Sequence, residues 1–224
     1  MQAFLTERPE MGKSGKIALS AGDQLWMRRS AHGTVKYLTK DEVRRFFRAI
    51  PKENIRDRLL FNLMYLHGLR RGEAAILTVQ GVQNGRIFVS RLKHGVSKPY
   101  QLFPSSSKLL ARYLHERRDD PCPYLFRGRQ FRCAPLSGRL IDHLFRRYAT
   151  AAGLPEDRRH SHVFRHSIGV HLANEGFDIS DVGDHLGHAD LTSTAIYFEI
   201  TDKRRAANFK RMLRSHEIEH GGGS

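Results

Sequence analysis

Residues 162–197 read HVFRHSIGVHLANEGFDISDVGDHLGHADLTSTAIY, and their pattern decides the architecture. Apolar residues recur at helical spacing over 162–175, 179–187 and 192–199, and Gly176 is placed to cap the first of these helices. His162 and His166 stand four apart on one helix, and His185 and His188 form a second close pair. Such spacing also suits a metal, but no Glu occupies the HExxH position. Tyr197, taken alone, reads as an ordinary core or surface aromatic.

Working outward, helical periodicity dominates the chain. Thr39 with Glu42 forms a capping box ahead of Val43, Phe46, Phe47 and Ile50, and Pro51 ends that helix. An apolar helix follows over 55–67 with Gly68 at its end, then a short one over 73–77. Residues 79–103 change period: segments 86–90 and 98–103 read as strands around a turn at His94 and Gly95. Helices return over 105–118 and 138–152, the latter with Ser137 as N-cap and Gly153 after its end. The expected fold is mainly α with a small three-stranded antiparallel sheet. The expected divisions are a flexible arm or remnant at 1–36, one globular domain at 37–200, and a basic helix and tail at 201–224, where Gly-Gly-Gly-Ser resembles a linker.

Lys and Arg number 38 against 23 Asp and Glu, a net charge of +15. The excess sits mainly on Arg, whose planar fork suits phosphate, so nucleic acid is the favoured partner. No apolar run approaches the ~20 residues that span a bilayer. The first 20 residues carry no secretory pattern. Cys122 and Cys133 match no metal-binding spacing and read as reduced thiols of a cytosolic protein.

The scattered segments Gly68-Leu-Arg70-Arg-Gly-Glu73, Arg91-Leu-Lys93, His162-Val-Phe-Arg165-His166 and Leu186-Gly-His188…Tyr197 each have a dull reading. Arg70 can cap a helix, and Lys93 can be a solvated hairpin lysine. In this order, however, they resemble the tyrosine recombinase (phage integrase) family over about residues 37–200. Phe164 stands where the family pattern H-x-L-R-H has Leu. Tyr124-Leu-Phe126 and Pro135-Leu136-Ser137 resemble the segment that joins the sheet to the second arginine.

The resemblance implies a DNA strand transferase that acts through a 3′-phosphotyrosyl intermediate and a Holliday junction. Tyr197 would be the nucleophile. Arg70, Arg165 and His188 would stabilise the phosphate as negative charge gathers on its oxygens. Two guanidinium forks can bind those oxygens bidentately, and each such donor contributes about 3 kcal/mol to the transition state. A free tyrosine titrates near 10, so a base must help, and His162 is the candidate. Lys93, with Lys98 as rival, would protonate the leaving 5′-oxygen. Glu73 and His166 would support from behind. Arg139, His143, Arg146 and Arg147, on the helix after Ser137, are DNA-binding candidates or a solvated basic face.

The scheme needs neither metal nor cofactor. Its implied partners are double-stranded DNA and further copies of the chain in a tetramer, in a prokaryotic cytoplasm at the nucleoid. The segment carrying Ala206, Ala207, Phe209, Met212 and Leu213 would either dock on a neighbouring copy or pack locally. Most members carry a helical DNA-clamping domain ahead of the catalytic one, and 36 residues cannot fold it. The chain therefore resembles either a small single-domain member, like the fimbrial phase-variation invertases, or a shortened larger integrase. The competing readings are a type IB topoisomerase-like relaxing enzyme, a non-catalytic DNA-binding regulator and a metal-dependent nuclease.

Overall fold

A computed structural model describes residues 35–92, 95–128 and 133–216. Among these are eight α-helices, one 3₁₀ turn and one three-stranded antiparallel sheet. The arm at 1–34 and the terminal residues 217–224 lie outside them.

Helix α1 spans Lys40–Ala49 and opens on the expected capping box. Thr39 Oγ1 accepts from the Glu42 backbone N–H at 3.2 Å, and the Glu42 carboxylate accepts from Thr39 N–H at 2.8 Å. Two orphan donors are satisfied at once, worth about 1 kcal/mol. Helix α2 (Ile55–Leu66) begins at Asn54, whose side-chain oxygen accepts from Asp57 N–H. Helix α3 occupies Arg71–Ala75, two residues earlier than periodicity suggested. The reason is polar: the Glu73 carboxylate turns back to the Arg70 N–H and starts the helix there.

Strands β1 (Val82–Gln83), β2 (Arg86–Val89) and β3 (Lys98–Gln101) pair in sequence order. Asn84 and Gly85, both at positive φ, make the two-residue turn between β1 and β2. Ile87 and Val89 point into the core while Arg86 and Phe88 face out, the period-two alternation of a half-buried strand. Helices α4 (Pro104–Glu116), α5 (Gly138–Ala151), α6 (His162–Glu175), α7 (Ile179–Leu186) and α8 (Thr192–His216) complete the chain. Helix α8 runs unbroken through residues 200 and 201.

One aromatic cluster ties the helices together. Phe46 of α1, Phe61 of α2, Phe145 of α5 and Phe164 of α6 are fully buried. Phe46 stacks on Phe145 at 4.6 Å and meets Phe164 edge-on at 4.8 Å. Each ring contributes about 1.5–3 kcal/mol by burial. A smaller core of Ile168, Val170, Ala173, Val182 and Leu186 lies among α6, α7 and α8, and Tyr197 belongs to it. This second core packs the end of α7 and the start of α8 against α6.

Candidate active site

The site is organised around Glu73, which is 1% exposed. Its Oε1 accepts from Arg70 Nη1 at 2.7 Å and its Oε2 from Arg91 Nη1 at 3.0 Å. The backbone N–H groups of Arg70 and Leu92 also donate to it, and Arg165 Nη1 stands 4.0 Å away. Burial alone would raise the Glu73 pKa. The Arg70 N–H and the surrounding guanidiniums outweigh burial and lower it, so the group is a carboxylate. One anion thus faces three arginines, leaving an excess of positive charge.

Arg165, on the first turn of α6, is 1% exposed. Its Nη1 donates to the Gly68 carbonyl at 2.6 Å and its Nη2 to the Leu186 carbonyl at 2.8 Å. These oxygens lie at the C-terminal ends of α2 and α7, where carbonyls lack helical partners and cations are favoured. Burial, then Arg70 and Arg91, lower its pKa to about 10, so it stays charged at neutral pH.

Arg70, Arg165, His162, His166, His188 and Tyr197 line one cleft of about 720 Å³. Arg71, Asp142, His160 and Ser161 complete part of its wall. Asp142 of α5 is bound by both Arg71 and Ser161. Residues from α3, α5, α6 and α8 and the turn after α7 therefore meet around a single space.

Tyr197 is only 2% exposed, yet it borders that cleft. Its ring lies on Gly169 of α6. A Cβ at that glycine would come within 2.7 Å of two ring carbons, so the absent side chain is what lets the tyrosine lie there. Burial raises the Tyr197 pKa, and the nearby Arg165 and Arg70 only partly offset this, so the resting phenol is protonated. Its hydroxyl pairs with His166 Nδ1 at 3.2 Å. Burial and adjacent cations lower the His166 pKa to about 3, so this imidazole is neutral and able to accept.

The geometry sets a different imidazole beside the phenol from the one expected. His162 was expected to serve the phenol, but the imidazole within hydrogen-bond reach is His166. His162 sits one helical turn away, its ring 4.5 Å from that of His166. The two share a face of α6, and only the path of α8 decides which one meets Tyr197. His162 has a solvent-exposed side, and the crowding protein with Arg165 and Arg70 lowers its pKa.

His188 follows the turn that ends α7. Its Nδ1 pairs with Thr194 Oγ1 at 2.7 Å, and its ring runs nearly parallel to that of Tyr197 at 6.5 Å. Thr194 is fully buried and carries no signal in the sequence beyond its place in helix α8. Burial, with Arg165 and Arg70, lowers the His188 pKa to about 4.

Lys93 lies outside the described residues. Its rival Lys98 pairs with Asp184 of α7 and covers the Tyr100 ring, away from the cleft lining. Arg139, His143, Arg146 and Arg147 are all exposed on α5, the helix whose Asp142 reaches the cleft. Among the described residues, no group of three or more His, Cys, Asp or Glu side chains is placed to hold a metal ion. No described helix is long and apolar enough to cross a membrane.

The phage integrase family model matches residues 36–204. Tyrosine recombinase XerA of Pyrococcus furiosus is 34% identical over 172 residues, covering 75% of this chain and 58% of that protein. Tyrosine recombinase XerC of Bacillus subtilis is 29% identical over 204 residues, covering 83% of this chain and 61% of its own length. The chain thus spans about three fifths of these relatives. Among solved structures, XerA recombinase superposes with a TM-score of 0.67 at 24% identity, over 84% of this chain and 67% of the other. A lambda integrase tetramer bound to a Holliday junction superposes with a TM-score of 0.56 at 20% identity, over 72% of this chain and 47% of the other. By the extent of the family match and the order of its motifs along one shared fold, the chain belongs to the phage integrase family, the tyrosine recombinases.

Proposed function

We infer that this chain carries the cutting and rejoining chemistry of a site-specific DNA recombinase. The observation that carries the reading is the shared cleft, in which Tyr197, Arg70, Arg165, His162, His166 and His188 meet from distant parts of the chain. Tyr197 Oη attacks a DNA phosphorus, forming a 3′-phosphotyrosine and releasing a 5′-hydroxyl. Arg70 and Arg165 hold the non-bridging oxygens. His188, held through Nδ1 by the Thr194 hydroxyl, adds a third donor from Nε2. These groups are fixed before the reaction, so stabilising the developing charge requires no reorganisation.

The phenol's proton passes to His166, the neutral imidazole already beside it. His162, next to His166, is placed to carry it onward. Lys93 is the proposed acid for the leaving oxygen. The phosphotyrosine conserves the phosphodiester bond energy, and a 5′-hydroxyl from a second strand reverses the attack. Two rounds of such exchange, passing through a Holliday junction within a tetramer on double-stranded DNA, recombine two sites. The exposed Arg139, His143, Arg146 and Arg147 extend the basic surface beside the cleft for backbone phosphates. The setting is the nucleoid of a prokaryotic cytoplasm.

A suicide substrate, nicked close to the cut so that the released fragment diffuses away, tests this. Wild type should accumulate a denaturation-resistant protein–DNA adduct, and Tyr197→Phe should bind but form none. An adduct in the Phe variant, or none in wild type on its own flanking DNA, would overturn the assignment.

A further inference from the structure

Arg91 lies at the root of the hairpin and its side chain is wholly buried. It is absent from the cleft lining, so it cannot touch a phosphate held there. Burying a guanidinium is costly unless it is paired and hydrogen-bonded. Its partners are specific. Nη1 donates to Glu73 Oε2 at 3.0 Å. Nη2 donates to the carbonyls of His67, at 3.2 Å, and His185, at 3.0 Å. The guanidinium also lies 5.1 Å from the centre of the Tyr100 ring.

Those carbonyls directly precede the two that Arg165 binds. Arg165 joins Gly68 to Leu186, and Arg91 joins His67 to His185. The two guanidiniums form successive rungs between the C-terminal ends of α2 and α7. One end leads straight into Arg70 and the other into His188. The fit around the lower rung is close. A Cβ at Gly187 would lie 2.5 Å from Arg91 Nε, and one at Gly95 would lie 2.6 Å from Arg91 Cβ. Arg91 therefore threads between two glycines, one of which immediately precedes His188.

We propose that Arg91 is a positioning residue for strand cleavage. It holds Arg70 through Glu73, and it holds the His188 turn through the His185 carbonyl and Gly187. This deepens the recombinase reading and rests on it. The side chain makes no contact with DNA, so its loss should slow the chemical step and leave binding alone. A methionine fills similar space without the bonds. A lysine keeps a positive charge beside Glu73 but cannot bridge a carboxylate and two carbonyls with a fixed fork.

The test uses the full chain and a nicked suicide substrate at saturating DNA. Adduct formation is followed in a single turnover, with the DNA dissociation constant and thermal unfolding measured in parallel. Arg91→Met should bind DNA as wild type does and form adduct about 100-fold more slowly, the cost of misplacing reacting groups by about 1 Å. Arg91→Lys should recover only part of that rate. If the methionine variant does not fold, the lysine variant carries the same test. A wild-type rate in the folded variants would overturn the proposal, as would a rate loss matched by an equal loss of DNA affinity. An absent adduct in wild type would instead overturn the recombinase reading itself.

Discussion

Replacing Gly169 by alanine isolates what the bed of Tyr197 contributes. The new Cβ would stand 2.7, 2.7 and 2.9 Å from three ring carbons, against 3.5–4.0 Å for an ordinary carbon contact. The ring must withdraw by roughly 1 Å. In stability the effects oppose each other. Alanine in a helix interior gains about 1 kcal/mol over glycine, and overpacking costs about 1–3 kcal/mol. The net loss is therefore about 0–2 kcal/mol, small enough for the variant to fold. In rate they do not cancel. A displacement of about 1 Å at the attacking oxygen costs about 100-fold, equivalent to about 2.7 kcal/mol of barrier. Single-turnover adduct formation on saturating suicide DNA should fall by that factor while the unfolding temperature moves by only a few degrees. A folded Gly169→Ala protein that cleaves at the wild-type rate would refute the reasoning. It would mean that Tyr197 attacks from somewhere other than its seat on α6.

Arg70→Lys and Arg165→Lys should each slow adduct formation by at least about 100-fold, since lysine loses the bidentate fork, with little change in DNA affinity. Near-normal rates in both variants would show that the two arginines do not hold the reacting phosphate. Acid should destabilise the protein, and the sign follows from the buried histidines. His67 is fully buried and neither of its ring nitrogens has a hydrogen-bond partner among the described residues. Burial, with His185 and Arg91 nearby, lowers its pKa to about 3. The unfolded chain therefore takes up a proton near pH 6.5 that the folded chain refuses. The stability this histidine confers is complete above 6.5 and is lost as pH falls toward 3. At pH 5 His67 alone removes about 2 kcal/mol. Urea unfolding at pH 7 and pH 5 measures this, and equal midpoints would contradict the burial of an uncharged His67.

The chain's own order of residues determines a good deal without coordinates. Helix starts at Thr39, Asn54 and Ser137 rest on side chains that bond their own backbone, and the β2 alternation rests on a two-residue repeat. Both are local physics, readable within a few positions. The Asn84-Gly85 turn, which the sequence reading did not single out, rests on local physics too, because those two residues tolerate positive φ. The motifs around Arg70, Arg165, His188 and Tyr197 stand out because such residue types suit one phosphate and occur in a family's order. What surrounds them was settled by packing over long separations. His162 and His166 share one helical face, and only the approach of α8 sets the phenol beside His166. Lys98, the rival acid, pairs with Asp184, 86 positions away. Nothing near Arg91 in the chain announces the carbonyls of His67 and His185. Those acceptors exist only where two helices end side by side, and a local pattern carries no record of where distant helices end.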